Sequence, residues 1–197
     1  MIKSPIKKIY DWAANKANSR FSPLWLGILF IFEIALFIPL DAILIIFCLE
    51  NPQRKFLYAS IATVACTLGG VIGYFLGLLV WDVISPYVLG YLISFDFFDK
   101  ICAHYNLYQN WAVFIGAFLP LPFKAVALSA GVCHLNLLHF ISFVFLARLC
   151  RFFLIAKAID VWGVQIKIFL DKYLGRVVMA LGAKVAILFT FFWALGQ

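Results

Sequence analysis

The sequence predicts an all-α integral membrane protein with two opposed re-entrant helical hairpins, about three transmembrane helices and amphipathic interfacial helices. Of its 197 residues, 65% are hydrophobic and only 13% are charged, whereas a soluble domain has about 25% charged residues. Five apolar segments are each long enough to cross a bilayer core of about 30 Å, and they lie near 24–49, 56–81, 111–133, 136–158 and 177–196. The charges between these segments decide how each one enters the membrane.

An amphipathic interfacial helix is predicted over residues 1–23. Ile2, Ile6 and Ile9 recur at helical spacing, and such a stripe opposite a charged face is typical of a helix that lies in the membrane interface. The other face is basic, with a single acid, Asp11, against Lys3, Lys7, Lys8, Lys16 and Arg20. Because positive charge is enriched on the cytoplasmic side, the N-terminus is predicted to be cytoplasmic.

The segment 24–49 begins a membrane domain predicted over residues 24–160. It carries two acids and a proline within an apolar run: Glu33, Pro39 and Asp41. A carboxylate at bilayer depth costs about 2.5 kcal/mol or more, and a proline frees a backbone carbonyl that lipid cannot satisfy. The segment is therefore either one kinked helix whose acids face a neighbour, or a broken re-entrant hairpin whose tip carries an ion or substrate site.

The charges of the linkers favour the hairpin. If the segment 24–49 crosses the membrane, the basic linker 50–55 lies outside and the acidic linker 82–110 lies inside, which opposes the positive-inside rule. If this segment and the segment 111–133 both enter and return, every basic region falls on the cytoplasmic side. That side then includes the basic linker 157–176.

The two predicted hairpin tips resemble each other in sequence. The run Phe37-Ile38-Pro39-Leu40 in the first is echoed by Phe118-Leu119-Pro120-Leu121 in the second, which has a further proline at Pro122. One hairpin enters from each side of the membrane, so the arrangement is an inverted repeat. Transporters build substrate sites near the bilayer midplane from such repeats.

The remaining apolar segments are predicted to pack around the hairpins. In the second segment, Gly69, Gly73 and Gly77 repeat every four residues, and such a row lets two helices approach closely. We interpret these glycines as a helix-packing surface. Residues 161–197 are predicted to form an amphipathic helix followed by a C-terminal transmembrane helix.

Five charged residues at predicted bilayer depth are candidates for a functional site: Glu33, Asp41, Lys124, Arg148 and Arg151. A desolvated carboxylate takes up a proton more readily than one in water, so either acid suits proton coupling. The arginines lie three residues apart on one helix face, and guanidinium groups bind carboxylate or phosphate in bidentate contacts. They pair with the acids, bind a lipid phosphate or exchange between the two; interfacial anchoring is the alternative. The lysine is suited to balance Asp41 or to attract an anion.

Other chemistry is not indicated. The five cysteines are scattered without metal-binding spacing, so we interpret them as buried packing residues and expect no disulfide framework. Hydrolase, zinc-protease, P-loop and dinucleotide motifs do not occur in the sequence, which predicts that the protein is not an enzyme and uses no metal or cofactor. The net charge is +7. The basic residues lie beside apolar segments, where they are suited to bind anionic lipid headgroups rather than nucleic acid.

Several of these features together resemble the DedA family, also called VTT-domain or SNARE-associated proteins. The resemblance covers roughly residues 24–160, and the matching features are Glu33 with Pro39 and Asp41, the glycine-rich run 69–77, residues 114–120 and 130–131, Asn136 and the run 148–152. It implies two opposed re-entrant hairpins in the bacterial inner membrane. It also implies lipid transport, either proton-coupled flipping of undecaprenyl phosphate or a phospholipid, or scrambling. The matching functional positions are Glu33, Asp41, Arg148 and, less closely, Arg151.

The sequence departs from the family pattern at two basic positions. Ala117 and Lys124 stand where typical DedA proteins carry arginines, and the run 120–124 is similar to a smaller, YqaA-like subgroup. The missing arginine weakens the case for a diphosphate headgroup. It leaves the acids and the deeper arginines in position.

These observations lead to a membrane lipid transporter, a flippase or scramblase of a phosphate-containing lipid, whose partners are phospholipids or polyprenyl phosphates. The headgroup would be held by Arg148 and Lys124 and exchanged as Glu33 or Asp41 takes up a proton. A homo-oligomer is compatible with this prediction. Two alternatives stand: a non-transporting, membrane-organising protein whose buried charges are structural, and a small-solute or ion exporter.

Overall fold

The structure, a computed structural model, describes residues 5–34, 40–88, 95–119, 122–163 and 165, and these are helical apart from short turns and connections. Eight α-helices lie in these ranges, and no strand does. They are α1 (Pro5–Ala17), α2 (Ser22–Ile31), α3 (Leu40–Glu50), α4 (Lys55–Val88), α5 (Phe95–Leu107), α6 (Gln109–Phe118), α7 (Phe123–Val132) and α8 (Leu137–Gly163), with 3₁₀ turns at Phe32–Ile34 and Pro52–Arg54. The predicted all-α class is confirmed.

Two of the described helices, α4 and α8, are long and apolar enough to cross a membrane. Their apolar stretches are Pro52–Trp81, with 30 residues, and Leu137–Gly163, with 27 residues. At 1.5 Å per residue, the shorter one extends about 40 Å. Asn136 begins α8, since its Oδ1 accepts hydrogen bonds from the backbone N–H groups of Leu138 at 3.0 Å and His139 at 3.2 Å, as a helix N-cap does.

The first predicted hairpin segment, 24–49, contains parts of two separate helices, α2 and α3. Within it, α2 ends at Ile31, the 3₁₀ turn Phe32–Ile34 follows, and α3 begins at Leu40. The predicted tip residue Pro39 lies outside the described residues. Entry and return of this segment within the membrane stays a prediction.

The second predicted hairpin segment, 111–133, is also divided into two helices. Its arms α6 and α7 have 10 residues each, which is about 15 Å of helix and half of the bilayer core. Pro122 occupies the N-cap of α7, a position that needs no intrahelical N–H; Pro120 lies outside the described residues. The arms pack against each other, because Gly116 in α6 leaves room for the Val126 side chain in α7.

Contacts divide the chain into two compact units. The first comprises Met1–Leu29, Phe37–Ala62 and Phe152–Gln197, and the second comprises Phe30–Leu36 and Thr63–Arg151. The helices α4 and α8 each contribute to both units. The predicted C-terminal transmembrane helix lies outside the described residues, and α8 extends to Gly163, past the boundary predicted at residue 161.

The first unit is organised around the start of α4. Tyr58 is fully buried, its hydroxyl lies 2.9 Å from Ser22 Oγ, and its ring packs edge-on against Phe47 with 5.7 Å between centroids. The N-terminal helix α1 lies against α3 and buries Ala13 and Ala17. The apolar face predicted for an interfacial helix therefore packs at least partly on protein.

The second unit contains close contacts between α4 and α7. The hydroxyl of Tyr74 donates a hydrogen bond to the carbonyl oxygen of Leu135 at 2.6 Å. Gly77 lies against the backbone of Leu128, and Gly131 lies against the backbone of Tyr74, so that a Cβ at either glycine would overlap backbone atoms. The predicted packing role is thus visible for Gly77, and Gly73 is buried beside it.

The expectation that the cysteines are buried packing residues without disulfides is wrong for three of the five. Cys102 in α5 and Cys133 at the C-cap of α7 form a disulfide, with 5.1 Å between their Cα atoms. They are 31 positions apart, so spacing in the sequence gave no sign that the fold brings them together. Cys48 and Cys66 are buried, as expected, and Cys150 is exposed.

Because Gly131 lies so close to the backbone of α4, we expect an added methyl group to destabilise the protein more at Gly131 than at a glycine with more space. We expect Gly131→Ala to lower the free energy of unfolding by about 1–3 kcal/mol, because backbone atoms of α4 cannot move aside easily. Gly27→Ala is the matched control, since a Cβ there would meet only the Ile61 side chain at an ordinary 3.5 Å. Thermal unfolding in detergent compares the two variants, and equal midpoints would contradict the packing described for Gly131.

Candidate functional site

An ion pair between a half-buried glutamate and a buried arginine joins the 3₁₀ turn after α2 to the middle of α8. Arg148 Nη2 donates a hydrogen bond to Glu33 Oε1 at 3.3 Å, and the side chains are 2% and 22% exposed, respectively. Arg148 lies about 17 Å along the helix axis from Leu137, near the centre of an apolar helix. Removing two charges from water is costly, so such a pair persists only where each charge keeps its partners.

Two further contacts hold the ion pair in place. The Arg148 guanidinium carbon lies 4.3 Å from the centroid of the Phe123 ring, a cation–π contact that favours a desolvated arginine. The thiol of Cys66 donates to the other carboxylate oxygen, Glu33 Oε2, at 2.8 Å. Both oxygens of the carboxylate are therefore engaged.

Adjacent glycines on α4 create the room that this arrangement needs. A Cβ at Gly69 would lie 2.6 Å from the carbonyl oxygen of Ile31, the last residue of α2, and a Cβ at Gly70 would lie 2.8 Å from Cζ of Phe123. Gly69 thus lets the turn that bears Glu33 approach α4, and Gly70 accommodates the ring that covers Arg148. Both positions lie one helical turn after Cys66.

Lys124 adds a second cation to the site. It follows Phe123 in the first turn of α7, and its side chain is half-buried. Counting Lys124, the site has one acidic and two basic residues. Such an excess of cationic donors suits an anionic group such as a phosphate.

Arg151 contacts the break between α6 and α7. Its Nη1 donates hydrogen bonds to the carbonyl oxygens of Phe118 at 3.2 Å and Leu119 at 2.6 Å. Carbonyls at a helix C-terminus have no intrahelical donor and carry partial negative charge. The predicted hairpin tip is thus stabilised by an arginine, which departs from the alternative that Arg151 only anchors α8 at an interface.

The second predicted acid, Asp41, lies in the first turn of α3. A carboxylate there interacts favourably with the positive end of the helix dipole. Asp41 belongs to the first unit, and Glu33 and Arg148 belong to the second. A role for Asp41 in the same functional site stays a prediction.

Comparison with known proteins identifies the larger group to which this arrangement belongs. Residues 27–161 match the VTT domain, which is more than half of the chain. The chain belongs to the VTT-domain (DedA) family. The resemblance seen in the sequence is therefore confirmed, and the matched range includes every residue of the ion pair and its supporting contacts.

Two curated relatives of this VTT-domain protein are uncharacterized bacterial proteins. One, from Haemophilus influenzae, is 30% identical over 158 residues, which are 79% of this chain and 80% of its own. The other, from Histophilus somni, is 32% identical over 148 residues, 75% of this chain and 77% of its own. No solved structure is significantly similar to the chain.

The sequence alone did not single out Cys66 or Phe123 as members of the VTT-domain site. Their signals were present but weak. Cys66 precedes Gly70 by four residues and so shares its helix face, and Phe123 is the first apolar residue after the proline-rich break. Among the described residues, no group of three or more His, Cys, Asp and Glu side chains could hold a metal ion.

Proposed function

We propose that this VTT-domain membrane protein moves a phosphate-bearing lipid across the inner membrane, coupled to protons. The observation that carries the proposal is the ion pair of Glu33 with the buried Arg148 in the middle of an apolar helix, with Lys124 next to the Phe123 ring that covers Arg148. A phosphate monoanion carries the same single negative charge as the carboxylate it would replace, and it also offers oxygen acceptors. Guanidinium binds either anion through parallel N–H donors.

The proposed cycle is an exchange of anions on Arg148. In the resting state the Glu33 carboxylate is bound to the Arg148 guanidinium through the 3.3 Å hydrogen bond. When Glu33 takes up a proton, its attraction for Arg148 falls and a lipid phosphate takes its place. Loss of the proton restores the ion pair and releases the headgroup. Lys124 contributes a second contact to the phosphate, and Asp41 remains a candidate for a second proton site.

The proposed membrane arrangement gives the headgroup a path to this depth. We propose a multi-pass protein with a cytoplasmic N-terminus and two re-entrant hairpins that enter from opposite sides. Support comes from the short arms α6 and α7, from the break after α2 and from the basic linkers on one side. Irregular backbone at membrane depth has to be surrounded by protein or water. A polar pathway for the headgroup through the protein provides that environment.

A second candidate function is structural, and specific contacts favour it. Glu33 and Arg148 are engaged by Cys66 and Phe123 as well as by each other, which is also what a permanent fold-holding pair would need. In that case the protein would organise the membrane without moving lipid. The two functions differ in what happens when the pair is replaced by neutral side chains.

The substrate class is tested with purified protein in liposomes. Two fluorescent lipids with the same acyl chains are compared, one a phospholipid and one a phosphate-free glycolipid, and the label on the outer leaflet is bleached with dithionite. We expect the protein to expose the labelled phospholipid of the inner leaflet far faster than protein-free liposomes do, with no acceleration for the glycolipid. Equal movement of both lipids, or of neither, would contradict a phosphate-binding transporter.

A further inference from the structure

The disulfide between Cys102 and Cys133 closes a covalent loop around the second hairpin. Cys102 lies in α5, and Cys133 ends α7, so the loop of 31 positions contains both α6 and α7. The helix α5 is not one of the two described helices that are long and apolar enough to cross a membrane. A bridge between these residues ties α5 to the far end of the hairpin arm that begins with Phe123 and Lys124.

Hydrogen bonds hold the two cysteines together independently of the sulfur atoms. The side-chain amide of Asn106 donates to the carbonyl oxygens of both Cys102 and Cys133, each at 3.0 Å. The hydroxyl of Tyr105 lies 3.4 Å from the carbonyl oxygen of Val126, and burial raises the pKa of this phenol, which keeps it a neutral donor. The fold therefore aligns α5 with α7 and presents the two thiols to each other.

Two independent observations assign this region to the outer side of the membrane. Disulfides form and persist in oxidising compartments and are rare in the reducing cytosol. Separately, the linker 82–110 carries Asp82, Asp96 and Asp99 against Lys100, and short loops poor in Lys and Arg lie outside. The covalent chemistry and the charge pattern thus agree.

We propose that Cys102 and Cys133 are a modification site for a thiol–disulfide oxidoreductase of the outer compartment, which closes the loop around the second hairpin. The two thiols lose two protons and two electrons as the sulfur–sulfur bond forms. The electrons reduce a disulfide of the oxidoreductase to a dithiol. Cys102 is half-buried and Cys133 is buried, so the Cys102 thiolate attacks the enzyme's disulfide first, and Cys133 then displaces the enzyme from the mixed disulfide. This inference does not depend on lipid transport.

The test counts disulfide-bonded cysteines in the full chain taken directly from cells. Cells are quenched with acid, free thiols are blocked with N-ethylmaleimide in denaturant, disulfides are reduced, and the new thiols are labelled with polyethylene glycol maleimide. We expect the wild type to gain two labels in cells with a working thiol-oxidising pathway and none in cells that lack it. The Cys150→Ser variant is the matched control and keeps two labels, whereas Cys102→Ser and Cys133→Ser each gain none.

Each other outcome counts against the proposal. If the wild type gains no label in oxidising cells, the thiols are not joined in the membrane-bound protein. If it gains two labels equally in cells without the pathway, an oxidoreductase of the outer compartment does not form the bond. The wild-type comparison stands even where a cysteine variant fails to accumulate, because it uses the unmodified chain.

Discussion

The Arg148→Ala variant is expected to lose about 3–5 kcal/mol of stability, because truncating one member of a buried ion pair leaves the other charge desolvated. Arg148 is 2% exposed and Glu33 is 22% exposed, so the carboxylate that loses its partner remains largely desolvated. Phe123 also loses the cation that lies over its ring. Thermal or denaturant unfolding of the purified variant in detergent measures the loss.

A neutral double variant separates the charge from the packing. We expect Glu33→Gln/Arg148→Gln to regain part of the lost stability, because neither neutral side chain leaves a buried charge without a partner. Arg54→Ala is the matched control, an exposed arginine whose removal changes stability by about 0.5 kcal/mol or less. A single Arg148→Ala variant as stable as the wild type would show that the ion pair contributes little to the fold.

The Glu33→Gln variant is expected to lose the effect of a pH gradient on lipid movement. Glutamine resembles the protonated acid permanently, so proton uptake can no longer release Arg148. A hydrogen bond to a charged group contributes about 1.5–3 kcal/mol, which corresponds to a change of about ten- to 100-fold in rate. In liposomes we therefore expect an imposed gradient to accelerate the wild type by about tenfold or more and to leave Glu33→Gln at its gradient-free rate.

The control for that experiment is another partly buried acid. Glu50 accepts a hydrogen bond from Asn18 at 3.4 Å in the first unit and has no place in the proposed cycle. Glu50→Gln should respond to the gradient as the wild type does. If a pH gradient still accelerates lipid movement by Glu33→Gln, another group couples transport to protons. Asp41 is the first such group to test.

Much of this architecture could be predicted because charged and helix-breaking residues are easily recognised within apolar segments. A charge inside a long apolar run is costly, so Glu33 and Arg148 stood out although 115 positions separate them. Helix-breaking prolines within short apolar segments likewise predicted the division of 111–133 into two arms. The glycine row predicted close helix contacts, and Gly69 and Gly77 make them.

What the sequence could not reveal depends on contacts between distant residues of ordinary type. Phe123 is one of 22 phenylalanines, and only its position over Arg148 distinguishes it. Cys66 donates to Glu33, but a cysteine in an apolar helix usually packs. The bridge from Cys102 to Cys133 depends on how α5 passes the end of α7, which no local pattern encodes. For the same reason, the contacts of Arg151 with the backbone carbonyls of Phe118 and Leu119 could not be predicted.

Exchange of the Glu33 carboxylate for a lipid phosphate on Arg148 is tested most directly with the double variant. Glu33→Gln/Arg148→Gln is first shown to be folded at the assay temperature by thermal unfolding in detergent, and lipid movement by both proteins is then measured in liposomes without a pH gradient. We expect the variant to be slower by about tenfold or more, because the phosphate has lost its guanidinium partner. Lipid movement at the wild-type rate in a folded double variant would contradict this exchange and leave the ion pair a purely structural role.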